Sequence, residues 1–197
     1  MRPAPWWAVL SASAAPVLLI GGWTVAAALQ PAGFNSVRDT ISALAAYGAT
    51  DRWVMTSALA GLGVCHAVTA LGLRPAALPG RLMLAVGGMA NVAVAAFPQP
   101  DDGSSVAHFW AATIGFVALA LWPALAWQRN DPVPFGLSLP AALAAAGVLL
   151  VLTCWFASEL YGGGDRVGLS ERAAAGAQAL WPLVIATAAH RARACRR

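Results

Sequence analysis

The sequence predicts an all-α integral membrane protein, a bundle of six transmembrane helices with a short interfacial helix in the first outer loop. Three observations support this fold class. The 197 residues are 59% hydrophobic and only 10% charged, whereas soluble domains carry about 25% charged residues. The mean hydropathy of this chain is +0.67, which excludes a disordered chain. The apolar residues also fall into runs near the roughly 20 residues that one transmembrane helix needs.

Six apolar runs follow one another in a single domain, residues 1–197. They cover residues 6–29, 53–72, 81–98, 108–128, 137–158 and 173–190. The first run is longer than the apolar part of a signal peptide, so we interpret it as a retained helix. Because the hydrocarbon core holds no water, each run must satisfy its own backbone hydrogen bonds as a helix.

The arginines predict the orientation of the bundle in the cell membrane. Eight of them lie on the side of the two termini, and four lie on the other side. The first group is Arg2, Arg74, Arg81, Arg129, Arg191, Arg193, Arg196 and Arg197, and the second is Arg38, Arg52, Arg166 and Arg172. The positive-inside rule therefore predicts cytoplasmic N- and C-termini. The basic residues are spread between loops, so we expect no nucleic-acid partner.

The first outer loop, residues 30–52, is longer than a plain connector. Asn35 or Ser36 can cap a short helix, with Asp39 in a capping-box-like position and Gly48 at its end. This pattern predicts an interfacial helix, although an amphipathic connector has the same pattern. In the functional interpretation, Arg38, Asp39 and Ser42 form part of a pocket rim.

The second outer loop leads into the fourth helix. Ser104 or Ser105 can cap that helix, which places His108 in its first turn. A helix N-terminus disfavours a protonated imidazole, so we expect a neutral His108 that can act as a general base or a ligand. An interfacial histidine that hydrogen-bonds a loop is the structural alternative.

The third outer loop contains two charges that oppose their helix dipoles. Glu159 lies at the negative C-terminal end of the fifth helix. Ser170 is the predicted cap of the sixth helix and Glu171 follows it, so Arg172 lies in the positive first turn of that helix. Such charges need specific partners. Arg172 can bind Glu159, Asp39 or an external anion such as a phosphate headgroup. An internal arginine–carboxylate lock is the alternative.

Three polar residues lie within the predicted spans: His66, Asn91 and Gln178. Polar residues inside a membrane are functional candidates, but asparagine and glutamine also link helices through hydrogen bonds. No pair of potential ligands has metal-binding spacing, so we expect no metal and no cofactor.

Several motifs together resemble a known family. They are Asp39-Thr40-Ile41-Ser42 after the first span, Phe97-Pro98 followed by His108, and Gly168-Leu169-Ser170-Glu171-Arg172 at the sixth span. In order and spacing they resemble the bacterial six-span membrane family called domain of unknown function 998, and more distantly the lipid-associated Frag1/DRAM/Sfk1 group. An Ala43-Leu44-Ala45-Ala46 run stands where both groups have a more polar stretch. The resemblance implies the same topology and outer-face residues, and it implies no reaction.

These features together predict an outward-facing polar pocket that binds, and in one version processes, an anionic lipid headgroup or a similar small amphiphile. The candidate catalytic residues are His108, Ser42 and Glu171. The candidate ligand-binding residues are Arg172, Arg38, Asp39 and Glu159. Two other functions fit the same sequence: a small transporter or channel subunit that uses His66 and Asn91, and a structural or accessory membrane protein with an internal ion-pair network. Whether the protein is an enzyme, and its oligomeric state, stay open.

Overall fold

The computed structural model describes residues 3–100, 105–129 and 133–192. These residues form six α-helices and one short 3-10 helix, Ser42–Ala45, and contain no strand. The helices are α1 Trp6–Leu29, α2 Trp53–Gly72, α3 Leu78–Ala96, α4 Val106–Ala126, α5 Leu139–Gly162 and α6 Val167–Arg191. Some residues used in the sequence predictions are not among the described ones: Arg2, Ser104, Arg193, Arg196 and Arg197.

The helix ends show which capping predictions hold. Ser105 caps α4 as predicted, because its side chain accepts the His108 N–H at 3.2 Å. The predicted cap at Ser170 is wrong, because α6 already begins at Val167. Ser170 lies inside this helix, where its hydroxyl donates to the Val167 carbonyl oxygen at 2.9 Å. Glu171 and Arg172 therefore belong to α6 itself.

The six helices form a closed ring. Each helix packs against the next one in the chain, and α6 packs against both α5 and α1. Where α2 and α3 cross, Gly63 and Gly88 face each other, and a side chain at either would collide with the other's carbonyl oxygen. Small residues allow helices in membranes to approach this closely.

The surface of the bundle is that of a multi-pass membrane protein. Helices α1 to α5 are long and apolar enough to cross a membrane, and large apolar side chains such as Val17, Val25, Leu143 and Val151 are exposed on them. A helix that is apolar all round is typical of a membrane span. Helix α6 does not reach the same hydropathy, so its crossing stays a prediction.

The connecting segments give the two ends of the bundle different characters. One end, called the site end below, contains residues 30–52, 97–100 and 163–166. These segments bind to one another and to α6: the Tyr47 N–H donates to the Gln99 carbonyl oxygen at 3.2 Å, and the Leu169 N–H donates to the Val37 carbonyl oxygen at 3.0 Å. The opposite end, called the terminal end, contains the first and the last of the described residues, and there the His190 ring nitrogen lies 2.9 Å from the Ala4 carbonyl oxygen.

The helix expected in the first loop is much shorter than the sequence pattern suggests. Only Ser42–Ala45 are helical, as a 3-10 helix, and Leu44 and Ala45 are buried in the core of the site end. The preceding residues form a turn in which Asp39 Oδ2 accepts the Asn35 N–H at 2.6 Å. The Asp39 N–H in turn donates to the Asn35 carbonyl oxygen at 2.7 Å, so these residues form one capped turn that does not continue into a helix. A location of this helix at the membrane interface stays a prediction.

Candidate functional site

Residues 35–42, called the docked loop below, lie across the first turns of α6. A side chain at Gly168 would collide with the carbonyl oxygens of Ser36 and Asp39. Only glycine therefore permits the loop to approach α6 so closely. This contact brings two segments that are far apart in the chain together at the site end.

Arg172 clamps the docked loop to α6. Its Nη1 group donates to the carbonyl oxygens of Ser36, Asp39 and Gly168 at 2.8, 2.7 and 3.0 Å. These oxygens carry partial negative charge, which compensates for a cation near the start of a helix. The geometry therefore fits an internal lock, built with main-chain carbonyls where the sequence suggested carboxylates.

Glu171, the preceding residue of α6, binds the N–H side of the same loop. Its Oε2 atom accepts the Ile41 N–H, and its Oε1 atom lies 3.4 Å from Ser42 Oγ. Ile41 directly precedes the 3-10 helix, where N–H groups lack acceptors within the helix and favour a nearby carboxylate. Two adjacent residues of α6 thus bind the same loop in complementary ways: Arg172 donates to its carbonyl oxygens, and Glu171 accepts from its main-chain N–H.

Ser42 links Glu171 to a histidine on α4. The Nε2 atom of His108 lies 3.2 Å from Ser42 Oγ, and its Nδ1 atom lies 2.9 Å from the Phe97 carbonyl oxygen. The three candidate catalytic residues therefore form one hydrogen-bonded chain, called the polar cluster below: Glu171, Ser42 and His108. His108 and Glu171 are buried.

The hydrogen bonds of the polar cluster specify where its protons lie. A carbonyl oxygen only accepts, so Nδ1 of His108 carries the hydrogen that binds Phe97. In neutral His108 the Nε2 atom is then an acceptor, and the single Ser42 proton points to it. The Ser42 oxygen then has no proton left for Glu171. It can bind Glu171 at the same time only as an acceptor, which requires a protonated carboxyl group. The cluster makes all its bonds when it holds one additional proton, on Glu171 or on His108.

Burial favours the protonated form of Glu171. It raises the pKa of this carboxyl from its ordinary 4.5 to about 7, although the Ile41 N–H, the Arg172 charge and the Ser42 hydroxyl all act in the opposite direction. Burial disfavours a charge that loses its hydration. Glu171 therefore keeps its proton to a higher pH than an exposed glutamate does.

A cleft of about 360 Å³ leads from the polar cluster along the groove between α4 and α5. Ser42, His108 and Glu171 all line it, at the site end. Its walls deeper in the bundle are largely apolar and come from Phe109, Ala112, Phe116, Val117, Phe156 and Ala157. Phe109 and Val117 are partly exposed, so the cleft lies at the lateral surface of the bundle.

The candidate ligand-binding residues do not line this cleft. Arg38 is exposed and forms a 4.0 Å ion pair with Asp165. Asp39 caps the turn of the docked loop, and Arg172 clamps that loop. Glu159 accepts the Trp155 indole N–H at 3.2 Å and the Arg166 N–H at 3.1 Å, so it joins the end of α5 to the start of α6. Their roles in ligand binding stay predictions.

Other groups complete the site without a signal in the sequence. The Phe97 carbonyl oxygen and the Ile41 N–H are main-chain atoms, which no residue pattern reveals. Thr40 and Gln99 also line the polar end of the cleft; their one signal in the sequence is that they are polar residues in the first and second outer loops. Within the described ranges, no three His, Cys, Asp or Glu side chains are grouped so that they could hold a metal ion.

The family model described as protein of unknown function (DUF998) matches residues 13–188. The chain belongs to this family. The resemblance seen in the sequence is thus confirmed, and the three DUF998-like motifs that supported it meet in space: one supplies the docked loop and Ser42, one supplies His108 and its Phe97 partner, and one supplies Glu171 and Arg172. No curated protein and no solved structure matches the chain.

Proposed function

We propose that this protein binds a membrane amphiphile, with the apolar chain in the cleft between α4 and α5 and the polar head at the polar cluster. The observation that supports this most strongly is the continuity of one cleft from Glu171, Ser42 and His108 to aromatic and aliphatic walls. A site that is polar at one end and apolar along its length fits a molecule with the same division.

The size and position of the cleft support the same ligand class. Ligand pockets typically enclose about 300–1,000 Å³, and this cleft encloses about 360 Å³. It lies between two helices that are apolar enough to cross a membrane, so an amphiphile can enter from the bilayer without first passing through water.

The lining charges favour an uncharged or cationic headgroup that forms hydrogen bonds. Glu171 is the one acid that lines the cleft among the described residues, and they contribute no lining lysine or arginine. Arg172, which the sequence suggested as the anion ligand, directs its Nη1 bonds to three carbonyl oxygens. The anionic headgroup expected from the sequence is retained as an outcome of the experiment below.

The same geometry favours binding over acyl transfer. Ser42 and His108 are arranged as a nucleophile and a base, but acyl transfer also needs N–H donors for the oxyanion. The N–H groups on both sides of Ser42 are already used, since that of Ile41 donates to Glu171 and that of Ala43 donates to Thr40 Oγ1.

Native mass spectrometry of detergent-purified protein tests the proposal. Wild-type protein should carry an adduct of amphiphile mass. Ala157→Trp places a large ring in the cleft wall and should remove the adduct. Leu143→Trp adds the same ring to an exposed position of the same helix, away from the cleft, and should retain it.

The mass of the adduct then identifies its headgroup. An uncharged or cationic amphiphile that is weakened by Ser42→Ala supports the proposed site. An anionic phospholipid that is lost in Arg172→Ala but retained in Ser42→Ala supports the arrangement expected from the sequence and overturns the assignment of the headgroup to the polar cluster. A bare wild-type spectrum, or an adduct unchanged in Ala157→Trp, overturns binding in the cleft altogether.

A further inference from the structure

A second, smaller cavity lies at the centre of the ring, below the polar cluster. It encloses about 40 Å³ and is lined by residues of α1, α2, α3, α4 and α6 together with the docked loop. It lies between the two apolar cores of the bundle, one at each end. Its polar lining groups are Ser42, Glu171, His66, Asn91 and Gln178.

His66 lacks the hydrogen bonds that its burial demands. It is fully buried, and neither ring nitrogen has a partner in the part of the chain that the structure describes. The Nδ2 atom of Asn91, which lines the same cavity, also lacks a partner there. Buried polar atoms are nearly always hydrogen-bonded, if not to protein then to internal water.

The cavity has room for that water. One internal water needs roughly 10–15 Å³ on this measure, so about 40 Å³ holds about two or three waters. Glu171 and Ser42 line both this cavity and the cleft. Because Glu171 and His66 both line this cavity, water in it would connect the carboxyl group at the site end with the imidazole ring of α2.

We propose that this cavity holds a short chain of water molecules that carries protons between Glu171 and His66. In one transfer, the Glu171 carboxyl gives a proton to the first water, and the last water gives a proton to an unpartnered ring nitrogen of His66. The products are a carboxylate and an imidazolium, so the net charge of the interior is unchanged. This proton path does not depend on the identity of any amphiphile.

The surroundings leave these two groups as the ends of the path. Among the described lining residues, Glu171 and His66 are the two that titrate. The rest of the lining from each helix is uncharged: Leu19 of α1, Leu62 of α2, Val94 of α3, Leu119 of α4 and Ala175 of α6. Gln178 is engaged elsewhere, since its amide nitrogen donates to the Phe116 carbonyl oxygen at 3.0 Å and to Thr153 at 3.1 Å.

Nuclear magnetic resonance of ring-¹⁵N-labelled histidine tests the path in the intact protein in lipid nanodiscs. The chain has three histidines, so few signals need assignment, and His190 at the terminal end serves as an internal reference. Two quantities are measured for His66: magnetisation transfer from water to its ring nitrogens, and the rate at which its ring N–H exchanges with D₂O.

Three variants separate water from proton transfer. Glu171→Gln keeps a polar group of the same shape, so His66 should remain in contact with water while its exchange slows by roughly a hundredfold or more. Ala175→Leu fills the cavity and should abolish both signals. Leu180→Phe, at an exposed position of the same helix, should change neither. A dry His66 in the wild type overturns the proposal, and so does equal exchange in the wild type and Glu171→Gln.

Discussion

At the scale of single residues, Glu171 connects more of the site than any other side chain described above. It binds the main chain of the docked loop through Ile41, it contacts Ser42, and it lines both cavities. Its neighbour Arg172 lines neither cavity: its Nη1 bonds end on three carbonyl oxygens, and its Nη2 atom is buried without a partner among the described residues. Two adjacent charges of one helix thus have separable roles, which mutation can test.

The protonation of Glu171 predicts a pH-dependent stability. Because its pKa in the folded protein is about 7, above its ordinary 4.5, the folded state binds this proton more tightly than the unfolded state. This contribution is fully present below about pH 4.5 and is lost as the pH rises through about 7, a change on the order of 3 kcal/mol. Melting temperatures of wild type and Glu171→Gln between about pH 5 and pH 8 measure it. The wild type should lose stability across this range, the variant much less, and equal slopes would contradict the prediction.

Arg172→Ala should destabilise the fold, because three carbonyl oxygens lose a charged donor. Hydrogen bonds to charged groups contribute about 1.5–3 kcal/mol each, so we expect a loss on the order of 3 kcal/mol, measured by thermal unfolding in detergent. Arg38→Ala is the matched control. Its side chain is 68% exposed and its ion pair is 4.0 Å long, so its effect should be small. An Arg172→Ala protein as stable as the wild type would favour a ligand site over the clamp.

At the scale of elements, the sequence predicted which segments matter better than it predicted their shape. The caps and misplaced charges correctly drew attention to residues 35–42 and 168–172. The cap at Asn35 with Asp39 beside it was suggested by the sequence, but the sequence could not show that this capped turn ends before Ser42 and does not continue as one helix. Nor could it show that α6 begins at Val167, since charges in its first turns look like the end of a loop when hydropathy alone is considered.

The crossing of the docked loop over α6 predicts a specific effect at Gly168. Replacing glycine by alanine inside a helix ordinarily stabilises it by about 0.5–1 kcal/mol. At Gly168 the new methyl group would collide with the carbonyl oxygens of Ser36 and Asp39, so Gly168→Ala should instead lower the melting temperature and speed amide hydrogen exchange in residues 35–42. Gly147→Ala, which meets open space, is the control and should not destabilise. Slow exchange in both variants would show that the loop does not rest on Gly168.

At the scale of the whole molecule, composition was enough to predict a helical membrane bundle, since helices are forced wherever backbone meets hydrocarbon. The closed ring was not predictable, because adjacency of α6 and α1 depends on packing between segments far apart in the chain. The convergence of Ser42, His108 and Glu171 depends on that ring for the same reason. The cleft was equally inaccessible to sequence analysis, since its walls are ordinary apolar residues of two spans.

The remaining question at this scale is whether α6 crosses the membrane with the other five helices. Its 25 residues extend about 37 Å at 1.5 Å per residue, which is long enough for a hydrocarbon core of about 30 Å. It begins beside the docked loop at the site end and ends at the terminal end, where His190 contacts the Ala4 carbonyl oxygen. Because α6 packs along α1 and α5 over that length, we expect it to lie at the same depth as its neighbours.

Single cysteines in a variant without Cys65, Cys154 and Cys195 test this topology with a membrane-impermeant maleimide. Asp165→Cys, between α5 and α6, should be labelled on intact cells. Gln128→Cys and Arg191→Cys, at the terminal end, should be labelled only after permeabilisation, because the arginine distribution predicts that this end is cytoplasmic. Labelling of residues 165 and 191 from the same side would mean that α6 does not cross. Reversed labelling at all three positions would instead keep six spans and place the polar cluster on the cytoplasmic face.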